Sequence, residues 1–353
     1  MSQLFSPLTL RSLTLRNRLG VSPMCMYSST GGHPSDWHAI HLPARAVGGA
    51  AVIIQEATAV SAEGRISPHD AGLWSDDHVE PWSRVTRLVR EFGAIPAVQL
   101  AHAGCKAGTA RPWEGGRKLA IHEGGWQAIG PTSTPFRPDD PPVHAMTEDD
   151  IVRVIRCFAD AARRALDAGY EIVEIHAAHG YLAHSFYSPL MNRRTDRWGG
   201  SFENRTRFAL EVARAVRKVW PERLPLFVRL SCSDWVDGGW SIDDSVVLAR
   251  LLKHEGVDLI DCSSGGASLK ASIKVAPGYQ VPFARTIREQ AGIATAAVGL
   301  ITGPRQAEQV IVEGSADLVL LGRQSLRDPH FPIRAARELD ATPPAPLQYA
   351  RAL

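Results

Sequence analysis

The stretch Tyr170-Glu171-Ile172-Val173-Glu174-Ile175-His176-Ala177-Ala178-His179-Gly180-Tyr181 carries an apolar, β-branched run into a polar loop. It reads as a strand that ends at a site. Two imidazoles and a phenol can bind an oxygen that becomes negative and protonate a nearby carbon. The pair also admits plainer readings, a metal site or satisfied core histidines. Zinc needs a third protein ligand, and neither a Glu-containing zincin spacing nor paired cysteines accompany His176 and His179, so no metal is expected. In a regular strand, positions three apart face opposite sides. Both rings reach one pocket only if the chain leaves strand geometry between them.

Working outward, similar short apolar runs occur at Arg18–Pro23, Ala51–Glu56, Ile95–Leu100, Leu224–Leu230, Val257–Cys262, Ile293–Gly299 and Ala316–Leu321, making eight with Tyr170–His176. Most are continuous rather than alternating, as parallel strands covered on both faces require. Helical spacing fills the intervals at Val79–Phe92, Glu148–Ala168, Phe202–Val219, Ile242–His254 and Pro304–Glu313. The longest opens with Thr147-Glu148-Asp149-Asp150, an N-cap followed by acids that complement the helix dipole, and stops near Gly169. Strand and helix alternating in this way predict a single α/β domain over residues 1–353, a (β/α)₈ TIM barrel. An open doubly wound sheet would want Gly-x-Gly-x-x-Gly after a strand, and the chain has none.

Chemistry in such a barrel belongs at the carboxyl ends of the strands. Those ends read Ser22 to Tyr27, Glu56-Ala57-Thr58, Gln99 to His102, His176 to Tyr181, Arg229, Ser263 to Gly266, Val298-Gly299-Leu300 and Gly322-Arg323. Glycines after both of the last two strands let backbone amides approach an anion, which favours phosphate there. Arg229 is the only charge in Leu226-Phe227-Val228-Arg229-Leu230. A buried guanidinium needs a carboxylate, such as Glu56 or Glu174, or an anionic ring system. Gln99 both donates and accepts, which suits the edge of a heteroaromatic ring.

Taken together, Ser22-Pro23-Met24-Cys25-Met26-Tyr27-Ser28, Gln99-Leu100-Ala101-His102-Ala103-Gly104, His176 to Tyr181, Asn192 to Ser201, Phe227-Val228-Arg229, Asp261 to Gly265 and Gly322-Arg323 make the chain recognisable from end to end. It resembles the Old Yellow Enzyme family of FMN-dependent ene reductases, and most closely its cysteine-containing, thermophilic-like subclass with the bacterial xenobiotic reductases. The resemblance implies a ping-pong oxidoreductase in which NADPH or NADH reduces FMN and hydride then passes to an activated alkene. It implies that Ser22, Pro23, Met24, Cys25, Ala57, Gln99 and Arg229 hold the flavin, with Val298, Gly299, Gly322 and Arg323 around its phosphate. His176 and His179 match the pair that grips an enone oxygen, Tyr181 the proton donor, and Tyr27 a second phenol at the substrate. Cys25 matches a residue that touches the flavin and tunes its potential. One departure stands out, Cys105 followed by Lys106 where the family usually has arginine at the first position.

Other function classes fare less well. A flavin-storing or sensing protein of the same fold, or a reductase of nitro compounds or quinones, is the alternative; intact His176, His179 and Tyr181 favour an enzyme. Dienoyl-CoA reduction usually comes with a cysteine-rich cluster and extra domains, and the chain has five cysteines in 353 residues. A net charge of +2 gives no case for nucleic acid. Apolar runs are too short to span a membrane. Unpaired cysteine spacing fits a reducing, cytoplasmic setting. The region from Ala103 to Ala145, rich in Gly, Pro and Trp, is expected to be an excursion after strand 3 that flaps over the substrate, and Tyr181 to Gly200 a second long loop. The tail, residues 341–353, keeps a Pro-x-Gln-Tyr-x-Arg pattern. The resemblance implies that its Arg351 reaches a neighbouring subunit's active site in a homodimer or homotetramer.

Overall fold

A computed structural model describes residues 2–352, so that Met1 and Leu353, the outermost residues of the expected domain and tail, lie outside the described residues. An antiparallel hairpin, β1 (Leu8–Leu10) and β2 (Leu13–Leu15), precedes the barrel. The barrel strands are β3 (Leu19–Val21), β4 (Val52–Ala59), β5 (Ile95–Ala101), β8 (Ile172–Ala177), β9 (Leu226–Ser231), β10 (Leu259–Ser263), β11 (Ala294–Ala297) and β12 (Leu318–Leu321). They close in that order, all parallel, with β12 paired to β3. Each expected strand overlaps one of them. The short pair β6 (Ile129–Gly130) and β7 (His144–Ala145) lies inside the excursion.

Helices α1 (Asp36–Val47), α2 (Val79–Glu91), α3 (Glu148–Asp167), α4 (Leu182–Tyr187), α5 (Phe202–Val219), α6 (Ile242–His254), α7 (Val281–Ala291), α8 (Pro304–Val312), α9 (Arg323–Arg327) and α10 (Phe331–Glu338) follow the strands. Thr147 caps α3 as its sequence signals, accepting from the Asp150 amide. The expected loop from Tyr181 to Gly200 instead begins with α4. Leu182, Ala183 and Phe186 are fully buried and supply enough apolar surface to fix a short helix that isolated propensity would not hold.

Period-two alternation separates two cores. Val52, Ile54, Ala97, Ile172, Phe227, Leu259, Ala296, Leu318 and Leu320 fill the barrel interior, and Leu15 of β2 packs beneath them. Their neighbours Ile53, Val98, Val173, Val228, Ile260 and Val319 face the helices. Continuing the inner column two residues further along β8 gives Glu174 and His176; along β9, Arg229 and Ser231; along β10, Asp261 and Ser263. The apolar interior therefore carries a polar ring at its carboxyl end.

Candidate active site

Register brings that ring into contact. Gln99 pairs with Glu174 across β5 and β8, His176 with Arg229 across β8 and β9, and Arg229 with Asp261 across β9 and β10. The Gln99 amide donates to Glu174 Oε1 at 2.7 Å. Arg229 Nε lies 3.1 Å from Asp261 Oδ2, close enough for an ion pair but misdirected for a hydrogen bond. Arg229 Nε, both Asp261 oxygens and Glu174 Oε2 are left without hydrogen-bond partners although buried. Burial, reinforced by Asp261, pushes the Glu174 carboxyl up to about 8, and burial likewise raises Asp261. Of the carboxylates expected to face Arg229, Glu56 is displaced. A register shift between Gln55 and Ala57 turns it away, and it accepts from the Met26 amide at 2.7 Å and contacts His38 at 3.2 Å.

The histidine pair meets by leaving strand geometry, as required. β8 ends at Ala177, and His179 and Gly180 take φ of +59° and +72°. A left-handed histidine costs about 1–2 kcal/mol and needs support from its surroundings. Support comes from several sides. The His179 amide donates to Ser231 Oγ at 2.9 Å, and the Gly180 amide donates to His184 Nδ1 at 2.8 Å. His184 is wholly buried and its Nε2 contacts Asp234 at 2.9 Å.

As a result the His176 and His179 rings meet edge-on at 5.2 Å, and the Tyr181 ring lies 4.9 Å from His176. Burial, with Arg229 nearby, holds both imidazoles well below their ordinary pKa, so they are neutral at pH 7. The Ala178 amide donates to His176 Nδ1 at 3.3 Å, which assigns the ring proton to Nε2 and makes that nitrogen a donor. His179 Nε2 lies 2.6 Å from Ser263 Oγ. Burial raises the Tyr181 phenol, keeping its proton in place.

A cavity of about 180 Å³ opens beside this ring. It is lined by Arg229, Gln280, Val298, Gly299, Gly322 and Arg323, among others. Gly299 adopts φ +125°, a conformation that excludes most side chains. A second cavity, of about 390 Å³, is lined by Tyr27, Tyr181, Lys106 and residues of the excursion from Thr109 to Asp140. Tyr27 itself takes φ +50° and meets Trp113 of the excursion edge-on at 5.9 Å.

A family model described as NADH:flavin oxidoreductase / NADH oxidase matches residues 3–342. The chain belongs to that family. It is 50% identical over 350 residues to an NADPH dehydrogenase of Geobacillus thermodenitrificans strain NG80-2, covering 99% of this chain and 98% of the relative. Morphinone reductase superposes with a TM-score of 0.78 at 27% identity, over 97% of this chain and 90% of that one. An Old Yellow Enzyme homologue from Zymomonas mobilis gives 0.79 at 25% identity, over 97% and 94%.

Members of this family use FMN, and the polar ring fits it. Arg229 Nε is a buried donor with no hydrogen-bond acceptor, and Oε2 of Glu174, beside Gln99, is a buried carboxyl oxygen with no partner; an isoalloxazine edge with alternating carbonyls and ring nitrogens would satisfy such a set. Arg229, Val298, Gly299, Gly322 and Arg323 share one cavity and so fit the anionic end. Ser22 follows β3, its amide bonded to the Leu321 carbonyl, which ties the Ser22 to Tyr27 segment to the strand before Gly322. Ala57 follows the β4 bulge, and the Met24 sulfur lies 4.0 Å from where a Gly322 side chain would begin. Cys25 is half-buried, its thiol pushed up by burial and then by Asp70 and Glu56.

Arg351 stands apart. It lies in an exposed turn of helix, Leu347–Ala352, and Tyr349 of that turn approaches His330 at 5.8 Å. Residues that sequence reasoning missed are Asp261 as a member of the ring, Ser231, Gln280, His184 with Asp234, and a role for Lys106, whereas Glu174 was expected near Arg229. Strand parity already marks Glu174, Ser231 and Asp261. For Gln280, His184 and Lys106 no local pattern signals a role. Elsewhere, His33, Asp77 and His78 converge, with His78 Nε2 donating to the Gly31 carbonyl at 2.9 Å and its Nδ1 buried without a partner.

Proposed function

We propose that the protein is an FMN-dependent ene reductase that oxidises NADPH and reduces the C=C bond of α,β-unsaturated carbonyl compounds in alternate half-reactions. The observation that carries this reading is the convergence of the neutral His176, His179 and Tyr181 rings at the carboxyl end of the barrel, next to the Gln99, Glu174 and Arg229 ring. FMN, when bound, supplies the two-electron carrier between donor and acceptor. His176 Nε2 donates to the carbonyl oxygen of the enone, with His179 beside it, and draws electron density from the β-carbon. Tyr181 delivers the proton to the α-carbon. Arg229 would hold the pyrimidine edge of the cofactor, where its guanidinium would favour negative charge. Val298, Gly299, Gly322 and Arg323 hold the phosphate, and Tyr27 closes the substrate side. The NADPH dehydrogenase and morphinone reductase likenesses support a nicotinamide donor. Five free cysteines support a reducing, cytoplasmic setting.

The test is an anaerobic absorption spectrum. Purified protein should show flavin bands that bleach with NADPH and recover with 2-cyclohexenone; a protein that bleaches but recovers only with quinones or nitro compounds would refute the alkene assignment. The tail is part of the same proposal, with Arg351 entering a partner subunit's site. Deleting residues 348–353 should raise the KM for the enone and leave FMN affinity unchanged. A monomeric protein would exclude the shared site.

A further inference from the structure

Lys106 belongs to neither the flavin ring nor the His176, His179 and Tyr181 group, yet its ammonium is placed against the loop that shapes that group. It follows β5, in the turn Gly104–Lys106. Its Nζ donates to the His179 carbonyl at 2.7 Å and to the Gly266 carbonyl at 2.7 Å. Those carbonyls come from the loops after β8 and β10. A Cβ on Gly180 would stand 2.2 Å from the Gly266 oxygen, and one on Gly266 would stand 2.4 Å from the His179 carbonyl carbon. The two glycines therefore let the loops touch, with two carbonyl dipoles converging on one point. An ammonium, with three donors, satisfies both at once and adds a charge that neither carbonyl dipole repels.

The same ammonium sits 3.9 Å from the centre of the Phe136 ring and 5.8 Å from that of Tyr181. Phe136 comes from the excursion, so Lys106 joins the flap, the two loops and the phenol. A positive charge over the Tyr181 ring favours loss of its proton.

We propose that Lys106 is a positioning residue for alkene reduction, which clamps His179 in its left-handed conformation and holds positive charge over Tyr181. Loss of the side chain frees the His179 backbone to relax, turning its ring from the substrate oxygen, and removes the field that aids proton delivery. The inference rests on the ene-reductase reading. Burial pulls the Lys106 ammonium down to about 8, so its charge is lost within a measurable range. Burial also pushes the Glu174 carboxyl up to about 8 and the Asp70 carboxyl, which acts on Tyr181, to about 7, so the difference between wild type and the Lys106 variants is what reports Lys106. Tyr27 and Tyr181 are pushed up by burial, as is Cys105; His176 and His179 are held far below. Lys118, Arg137 and Asp140 line the same cavity, and burial also lowers Lys118.

The experiment compares FMN-loaded wild type, Lys106→Met and Lys106→Arg. The first readout is the dissociation constant of 4-hydroxybenzaldehyde, followed by flavin absorbance. The second is the single-turnover rate of 2-cyclohexenone reduction from pH 6 to 10. Lys106→Met should weaken phenol binding and slow enone reduction by about 10-fold or more each, the scale of a lost charged hydrogen bond, while Lys106→Arg restores most of both. In wild type the enone rate should fall as pH rises through about 8, and Lys106→Arg should lack that fall. Met-variant values within about twofold of wild type would overturn the proposal, since a lost charged hydrogen bond is worth more. So would an alkaline fall of the same size in Lys106→Arg as in wild type, which would assign it to another group, such as the Glu174 carboxyl at about 8. Should Lys106→Arg not fold, a wild-type rate flat through pH 8 overturns the proposal and a fall absent from Lys106→Met sustains it. Phenol binding without any enone reduction in wild type would instead defeat the ene-reductase reading and leave the binding comparison intact.

Discussion

Replacing Tyr181 by Phe separates the proton donation proposed for it from everything else the ring does. Its hydroxyl makes no protein hydrogen bond among the described residues, while the ring packs against His176 and the small cluster containing Cys105 and Ala107. Phe keeps those contacts, so stability should change by less than about 0.5 kcal/mol, the range of a substitution that leaves packing intact. Removing a positioned general acid slows its step by about 10²–10⁴-fold, equivalent to about 3–5 kcal/mol in the barrier. In the proposed mechanism only alkene reduction uses that proton. Anaerobic stopped-flow with NADPH alone should therefore report nearly unchanged flavin reduction, and mixing the reduced protein with 2-cyclohexenone should show the full loss. Burial holds the phenol above its usual range, so this loss should be constant between pH 6 and 7, below the range in which Lys106 loses its charge. Equal slowing in both half-reactions would assign Tyr181 to packing. A loss of less than about 10-fold in the alkene step, below the range of general acids, would give the proton to water.

Two further perturbations probe what holds the site. The wholly buried Tyr187 hydroxyl donates to the Ala177 carbonyl at 2.7 Å and accepts from the Ser231 amide at 3.1 Å, so it ties together the ends of β8 and β9. Tyr187→Phe should lower stability by about 1–3 kcal/mol, measured by chemical denaturation at equal FMN loading; no change would mean that water or strand partners satisfy those groups. His102 accepts the Gly104 amide at its Nδ1, and its Nε2 is buried without a partner. Burial drops it to about 4, against an unfolded value near 6.5. The unfolded chain thus binds the extra proton between these values, and the contribution present above pH 6.5 is lost as pH falls toward 4. Relative to His102→Asn, which keeps the acceptor, wild type should lose up to about 1.4 kcal/mol per pH unit in that window. Parallel stability curves for the two proteins would contradict the burial argument.

Much of the barrel is legible because each strand is short, apolar and flanked by turn residues. Overlap of all eight expected strands with observed ones follows from that pattern, since a parallel strand covered on both faces leaves little else to read. Helices were less visible where the apolar face is interrupted. In α1 the helix contains Pro43 and buries His38 and His41, so its sequence lacks a continuous stripe although its buried face is real. The carboxyl-end residues Gln99, Arg229, Val298, Gly299, Gly322 and Arg323 could be placed at one end of the barrel because strand order and direction determine it.

The partners of those residues depend on register, which is a relation between strands rather than a property of any one. Arg229 illustrates the difference. Its lone charge in an apolar strand announces a buried partner, and Glu56 and Glu174 are both chemically suitable. A one-residue bulge takes Glu56 to the Met26 amide, while the β9–β10 register delivers Asp261. Parity along each strand narrows this choice, because Phe227 and Leu259 lie in the barrel interior and fix Arg229 and Asp261 as inward-facing two residues later. Lys106 escapes even that logic. It lies outside the strands, and its importance comes from two carbonyls separated from it by 73 and 160 residues. Strand chemistry thus locates the site and marks Ser231, which holds the His179 amide, but the Lys106 contact to His179 is made between loops, where spacing in the chain carries no geometric information.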